Sequence, residues 1–320
     1  MNNNNLKIKE TFASALQNHQ RKNFKVAESL YKEILKTKPN HFESVFYLGA
    51  LLVQTKNFDK AQQLLQQAIK IQPNFVAAYN NLGIVFKELG EHKKAMSHFQ
   101  KAIKIQPNFE NAHYNLGVAF EQLNEFQKAI GCYEKAIQIN PNYAAAFNNL
   151  GNALKELGEY KKAMSCYKKT IQIQPNHVIA HNNLGVAFNE LGEYKKAMSC
   201  YEKAIQIDPN YAAAHNNLGI AFKELGEYKK AIGCYEKAIQ INPNYAAAFN
   251  NLGKIFEELD HINEAKKYFE KSLNLDPNRE KTCEDYGNIL LKFNQHIKAL
   301  AYLRKGTGFI KFTQKDFKII

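Results

Sequence analysis

The chain has 320 residues, 45% of them apolar and 23% charged, with a formal net charge of +13. That composition supports a sizeable core and excludes a globally disordered chain. The longest apolar run, Val45–Val53, is far short of the roughly 20 residues that cross a bilayer, and the Asn-rich start lacks the apolar segment of a secretory signal, so the expected location is cytoplasmic.

Residues 1–7 read as a disordered start. From residue 8 onward the prolines set the organisation. All eight, Pro39, Pro73, Pro107, Pro141, Pro175, Pro209, Pro243 and Pro277, lie 34 residues apart, and each precedes an Asn. Lys128–Gly151 is identical to Lys230–Gly253, three periods later. The chain is therefore an internal repeat. The expected units are 8–41, 42–75, 76–109, 110–143, 144–177, 178–211, 212–245, 246–279 and 280–313, followed by a tail, 314–320.

The unit 144–177 shows the internal plan. Phe147, Leu150, Gly151 and Leu154 fall at i, i+3, i+4 and i+7, the stripe of an amphipathic helix. Gly158 follows as its C-terminal glycine. Ala163, Tyr167, Thr170, Ile171 and Ile173 mark a second helix, which Pro175 and Asn176 stop. Neither helix can bury its stripe alone, so units must stack. Small residues recur in phase at Gly83, Gly117, Gly151, Gly185, Gly219 and Gly253, and at Ala95, Ala129, Ala163, Ala197, Ala231 and Ala265. Aromatics recur at Phe99, Tyr133, Tyr167, Tyr201, Tyr235 and Phe269.

This pattern of Leu-Gly, Ala, Tyr or Phe, Ala and Pro at a 34-residue period resembles the tetratricopeptide repeat (TPR) family. The resemblance covers about residues 8–313. It implies an all-α fold, a right-handed α-solenoid superhelix of about nine helix-turn-helix repeats. Trp is absent, its usual place being held by Tyr79, Phe147, Phe249 or a His. The ends are irregular, as solenoid caps are. The first unit lacks the Leu-Gly pair, and the second helix of the ninth is expected to fail at Gly306 and Gly308. The β-like run from Phe309 to Ile320 reads either as a cap over the last repeat or as the first strand pair of a further domain.

Opposite the core stripe of the first helix lie Ala145, Asn149, Asn152 and Glu156. By the resemblance, this face lines the concave groove. One asparagine per repeat recurs in the same phase: Asn81, Asn115, Asn149, Asn183, Asn217 and Asn251. Asn80, Asn148, Asn182, Asn216 and Asn250 sit beside them, with Tyr114 as the exception. An amide offers donors and an acceptor together, so such a row can hold the main chain of an extended peptide. The row is similar to the asparagine ladder in the repeat arm of protein O-linked N-acetylglucosamine transferases, and that resemblance implies backbone clamps. The alternative is that these asparagines bridge adjacent repeats. Asn148, Asn182 and Asn216 are expected to join the peptide-binding row, and Asn152, Lys155 and Glu156 to add selectivity. Lys87, Lys155 and Lys223 each adjoin a Glu, which is expected to leave the groove close to neutral.

The excess of Lys opens the second helices, at Lys93–Lys94, Lys161–Lys162, Lys195–Lys196 and Lys229–Lys230, and reads as a solvated outer face. Cys132, Cys166, Cys200 and Cys234 share one phase, too far apart for disulfides and without zinc-site spacing. His113, His181 and His215 take the aromatic core phase, and His177 and His181 lack a third metal ligand. No nucleophile elbow, HExxH, Walker loop or dinucleotide fingerprint is present. The expectation is a non-enzymatic scaffold for a protein or peptide ligand in the groove, with no cofactor, metal or membrane contact. Two alternatives stand beside it: the substrate-recruiting arm of a transferase or oxygenase whose catalytic domain lies elsewhere, and nucleic-acid binding through the basic surface.

Overall fold

The computed structural model describes residues 3–308, 310–312 and 317–319, with side chains from 5 to 308. Met1–Gly158 and Glu159–Ile320 form two compact units. The first holds α1 (Asn3–Gln20), α2 (Phe24–Thr37), α3 (Phe42–Gln54), α4 (Phe58–Ile71), α5 (Val76–Glu88), α6 (His92–Ile105), α7 (Glu110–Gln122), α8 (Phe126–Ile139) and α9 (Ala144–Glu156). The second holds α10 (Tyr160–Ile173), α11 (Val178–Glu190), α12 (Tyr194–Ile207), α13 (Ala212–Glu224), α14 (Tyr228–Ile241), α15 (Ala246–Glu258), α16 (Ile262–Leu275), α17 (Glu280–Lys292) and α18 (His296–Thr307). Within each unit consecutive helices pack as pairs, the pairs stack, and first helices of adjacent repeats touch, as α5 touches α7 and α13 touches α15. This is an α-solenoid of helix-turn-helix repeats.

Residues 3–7, expected to be disordered, form the opening turns of α1, while residues 1–2 lie outside the described residues. Gly306 does not break the last helix. It lies inside α18, where an added Cβ would stand 2.7 Å from the Glu280 carbonyl oxygen, so glycine permits α18 to close on α17. Beyond it, β1 (Ile310–Phe312) and β2 (Phe317–Ile319) pair antiparallel, Lys311 opposite Lys318, a short departure from an all-helical chain. Of the tail 314–320, residues 314–316 and 320 lie outside the described residues.

The small and aromatic phases meet as a lock inside each repeat. An added Cβ at Gly83 would stand 2.5 Å from Phe99, and at Gly185 2.5 Å from Tyr201. Phe99, Tyr133 and Tyr235 are fully buried, as are Ala95, Ala129 and Ala231. Truncating one such ring costs about 3–5 kcal/mol. Turns between the helices need a left-handed residue, supplied by glycine at Gly90, Gly158, Gly192 and Gly226, with φ of 73–75°. On the outer side Lys196 pairs with Glu193 and lies 5.6 Å over the Phe188 ring. Lys230, Glu227 and Phe222 repeat the arrangement. These lysines are locally paired, while the chain as a whole keeps its excess of positive charge.

Candidate groove and its asparagine ladder

First helices such as α5, α7 and α13 are covered on more than one side, by their own second helix and by the preceding repeat. That changes the reading of the paired asparagines. Asn148, Asn182 and Asn216, expected to present amides to a ligand, are buried, along with Asn80 and Asn250. Their neighbours Asn81, Asn115, Asn149, Asn183, Asn217 and Asn251 are half-buried at the surface. A single-face helix wheel misses this because it assigns one buried direction, whereas a solenoid helix has two.

The two rows are wired together. Asn115 Nδ2 donates to Asn80 Oδ1 at 2.9 Å in the first unit. In the second, Asn217 donates to Asn182 and Asn251 to Asn216, both at 2.9 Å. Within a repeat, Asn216 Nδ2 donates back to Asn217 Oδ1 at 3.3 Å, and Asn148 to Asn149 at 3.3 Å. The bridging role left open by the sequence is therefore real. An outer asparagine such as Asn217 uses one N–H and one lone pair internally and retains one of each. Its amide plane is fixed by those bonds, so the remaining pair is pre-oriented.

Repeat four breaks the pattern. Asn149 Nδ2 meets the hydroxyl of Tyr114 at 3.1 Å instead of an amide. Tyr114 stands 5.9 Å from the Tyr133 ring and 5.0 Å from that of Tyr143. Tyr133 donates its hydroxyl to Glu121 Oε2 at 2.5 Å. Burial holds the Glu121 carboxyl above its ordinary pKa, partly offset by that hydrogen bond. Tyr235, the counterpart of Tyr133 in repeat seven, has a buried hydroxyl with no partner. In place of Glu121 that repeat carries Lys223, which pairs with Glu258 at 2.8 Å and Glu224 at 3.5 Å.

The other expected lining residues are placed as follows. Asn152 is half-buried on α9. Lys155 pairs with Glu156 at 2.8 Å, and Lys87 with Glu88 at 3.0 Å. These pairs do not leave the groove edge neutral. At the C-terminal ends of α5 to α9 in the first unit, Glu121 adds to the two Lys–Glu pairs. At the ends of α11 to α15, Glu190, Glu257 and Glu258 add to Lys223 and Glu224. The edge is acidic on a chain that is strongly basic overall, and counting every residue at that phase would have shown it in the sequence.

The three histidines of the aromatic phase are not core residues. His113, His181 and His215 are half-buried, and each Nε2 lies 2.8–3.0 Å from the carbonyl oxygen of Pro107, Pro175 or Pro209. Tyr79 does the same toward Pro73 at 3.0 Å. His177 Nδ1 accepts from the Ala180 amide at 3.1 Å and caps α11. The four in-phase cysteines are half-buried free thiols. Burial raises Cys132, Cys200 and Cys234 to about 11, so they carry little thiolate. Among the described residues no group of three potential metal ligands occurs, and no helix is long and apolar enough to cross a membrane.

Comparison with known proteins agrees with this architecture. Family models described as TPR repeat match residues 85–124 and 186–226. Models described as tetratricopeptide repeat match 110–143, 144–177 and 212–245, and others of that description match 19–82, 166–198 and 246–279. No curated protein sequence matches the chain. Among solved structures, a chain of the APC/C hetero-tetramer Cut9–Hcn1 superposes with a TM-score of 0.64 at 19% identity, over 83% of this chain and 52% of that one. Pseudomonas aeruginosa PilF gives 0.58 at 22% identity, over 68% and 97%. YrrB, described as a TPR protein with an unusual peptide-binding site, gives 0.50 at 23% identity, over 57% and 95%. At these identities the structures speak for the fold. The matched segments together span most of the chain, which belongs to the tetratricopeptide repeat family.

Proposed function

We propose that the chain is a protein-interaction scaffold whose first helices grip an extended segment of a partner by its main chain. The observation that carries this reading is the double hydrogen bonding of the outer asparagines. A side chain meant only to bridge repeats needs no regular exposed edge, yet Asn149 and Asn217, each held by two side-chain bonds, keep a half-exposed amide in one orientation. First helices of neighbouring repeats pack about 8–10 Å apart. Three residues of a polyproline-type extended chain rise about 9 Å, so one rung serves every third residue. The likeness of this row to the ladder of glycosyltransferase repeat arms, and the peptide-binding site described for YrrB on the same fold, are consistent with such a use.

The charge distribution favours a protein over a polyanion. The groove edge carries the glutamates, whereas Lys196 of α12 and Lys230 of α14 are paired with Glu193 and Glu227. The test is selection of random extended peptides by the full chain. It is repeated with Asn149→Ala/Asn183→Ala/Asn217→Ala and, because those changes also cut internal bonds, with Val118→Arg/Val186→Arg, which fills the groove and leaves the ladder intact. Circular dichroism checks folding. Loss of the selected peptides from both folded variants supports the reading. Retention by both removes it.

A further inference from the structure

The array is close to a copied sequence, so its departures from the copy are informative. Three fall together. In repeat four, Tyr114 replaces the buried asparagine, Asn111 replaces the small residue found as Ala77 and Ala145, and Glu121 replaces the lysine found as Lys87 and Lys155. All three contact one another's neighbours. Tyr143 donates to Asn111 Oδ1 at 2.9 Å, its ring lies tilted 5.0 Å from that of Tyr114, and Tyr133 lies between Tyr114 and Glu121. Tyr114 and Glu121 lie seven residues apart on α7, so they share one helical face, with half-exposed Val118 between them.

Glu121 differs electrostatically from its counterparts. Lys87, Lys155, Lys223 and Glu257 each have an oppositely charged partner within 3.2 Å. Among the described residues Glu121 makes no ion pair. Lys155 is near enough to be felt but spends its ammonium group on Glu156. One carboxylate oxygen of Glu121 is held by the Tyr133 hydroxyl, and the other is left for a ligand. The result is a half-buried carboxylate held by the Tyr133 hydroxyl, on the same helical face as half-buried Tyr114, in a row where lysine stands in the repeats on either side. A fixed carboxylate without an ion-pair partner is matched by a guanidinium or ammonium group.

We propose that this notch in repeats four and five seats a basic side chain, Arg or Lys, of the bound segment, with Glu121 as its counter-ion. The proposal rests on the groove reading given above and adds register to it. Main-chain rungs alone allow a segment to slide by one repeat, whereas a single acidic notch between Lys87 and Lys155 fixes where its cation sits. A cation placed one repeat off in the first unit meets a lysine instead.

The test uses the full chain and a library of random twelve-residue peptides. Wild type is expected to select peptides sharing Arg or Lys at one fixed register. Glu121→Gln keeps an acceptor for the Tyr133 hydroxyl and the same shape, so folding is preserved. It is expected to weaken those peptides at least about tenfold. Replacing the basic residue by norleucine is expected to cost the same in wild type and nothing further in Glu121→Gln, the coupling that marks a direct pair. Glu121→Lys is expected to select an acidic residue at that register. Selected peptides without a fixed basic residue, or equal binding by Glu121→Gln, overturn the notch and leave the groove standing. Selection of no peptide by wild type overturns the groove reading and the notch with it.

Discussion

The tyrosines at the centre of the repeats offer a controlled comparison. Tyr133 and Tyr235 occupy the same phase, are both fully buried, and pack against Gly117 and Gly219 with the same 2.6 Å virtual Cβ approach. Only their hydroxyls differ: Tyr133 donates to Glu121 at 2.5 Å, and Tyr235 has no partner. Removing the Tyr133 hydroxyl breaks a hydrogen bond to a charged group, worth about 1.5–3 kcal/mol. Because Glu121 is half-exposed and water can replace the donor, Tyr133→Phe belongs at the low end, about 1.5 kcal/mol destabilising. Removing the Tyr235 hydroxyl instead relieves a buried unpaired group, a gain of about 1 kcal/mol or more. Identical chemistry at equivalent sites is thus expected to change stability with opposite signs. Solenoid arrays need not unfold in two states, so the assay is native-state hydrogen exchange read separately in α7–α8 and α13–α14, supported by urea unfolding. Equal losses at both sites would refute the assignment of hydroxyl partners.

Three further outcomes are expected. Glu121 is held above its ordinary pKa by burial, so the folded chain binds its proton more readily than the unfolded one. The associated stability is full below the ordinary carboxylate range, about pH 4, and falls as pH rises through the raised value. Wild type should therefore lose stability relative to Glu121→Gln as pH rises above about pH 4, and a constant difference contradicts the placement of that side chain. Gly185→Leu drives atoms into Tyr201, which stands 2.5 Å from a virtual Cβ. Exchange protection should fall around residues 178–211 and persist in distant repeats, whereas uniform loss along the chain argues against nearest-neighbour stability. Phe147 lacks the hydroxyl by which Tyr79 reaches the preceding proline carbonyl at 3.0 Å. Phe147→Tyr should raise stability by about 1 kcal/mol through a bond to Pro141, and a neutral or negative effect excludes that bond.

The repeat plan was legible in the sequence because close packing leaves periodic marks. The glycine of one helix and the aromatic of the next recur every 34 residues because each ring needs the space that a missing Cβ leaves. The outer asparagine row was legible for the same reason. What the sequence hid was the second buried face. Asn148, Asn182 and Asn216 looked like groove residues on a wheel that counted only the partner helix, yet neighbouring repeats cover them. The histidines misled similarly: a phase shared with Tyr79 and Phe147 suggested core, whereas the imidazole of His181 reaches the Pro175 carbonyl at the edge of the repeat. Tyr114 was visible as an exception to the row. Its link to Glu121 through Tyr133 depends on side-chain positions on two helices, which periodicity does not encode.

The claim that the ladder reads main chain is tested most directly by two scans of one selected peptide against the full chain. One scan replaces each side chain by alanine, and the other methylates each backbone nitrogen. The account predicts that methylation at about every third residue weakens binding at least about tenfold, since each removes a donor that a rung accepts, while alanine replacement matters only at the basic residue opposite Glu121. Binding that survives backbone methylation but falls under alanine replacement along the whole peptide would contradict it.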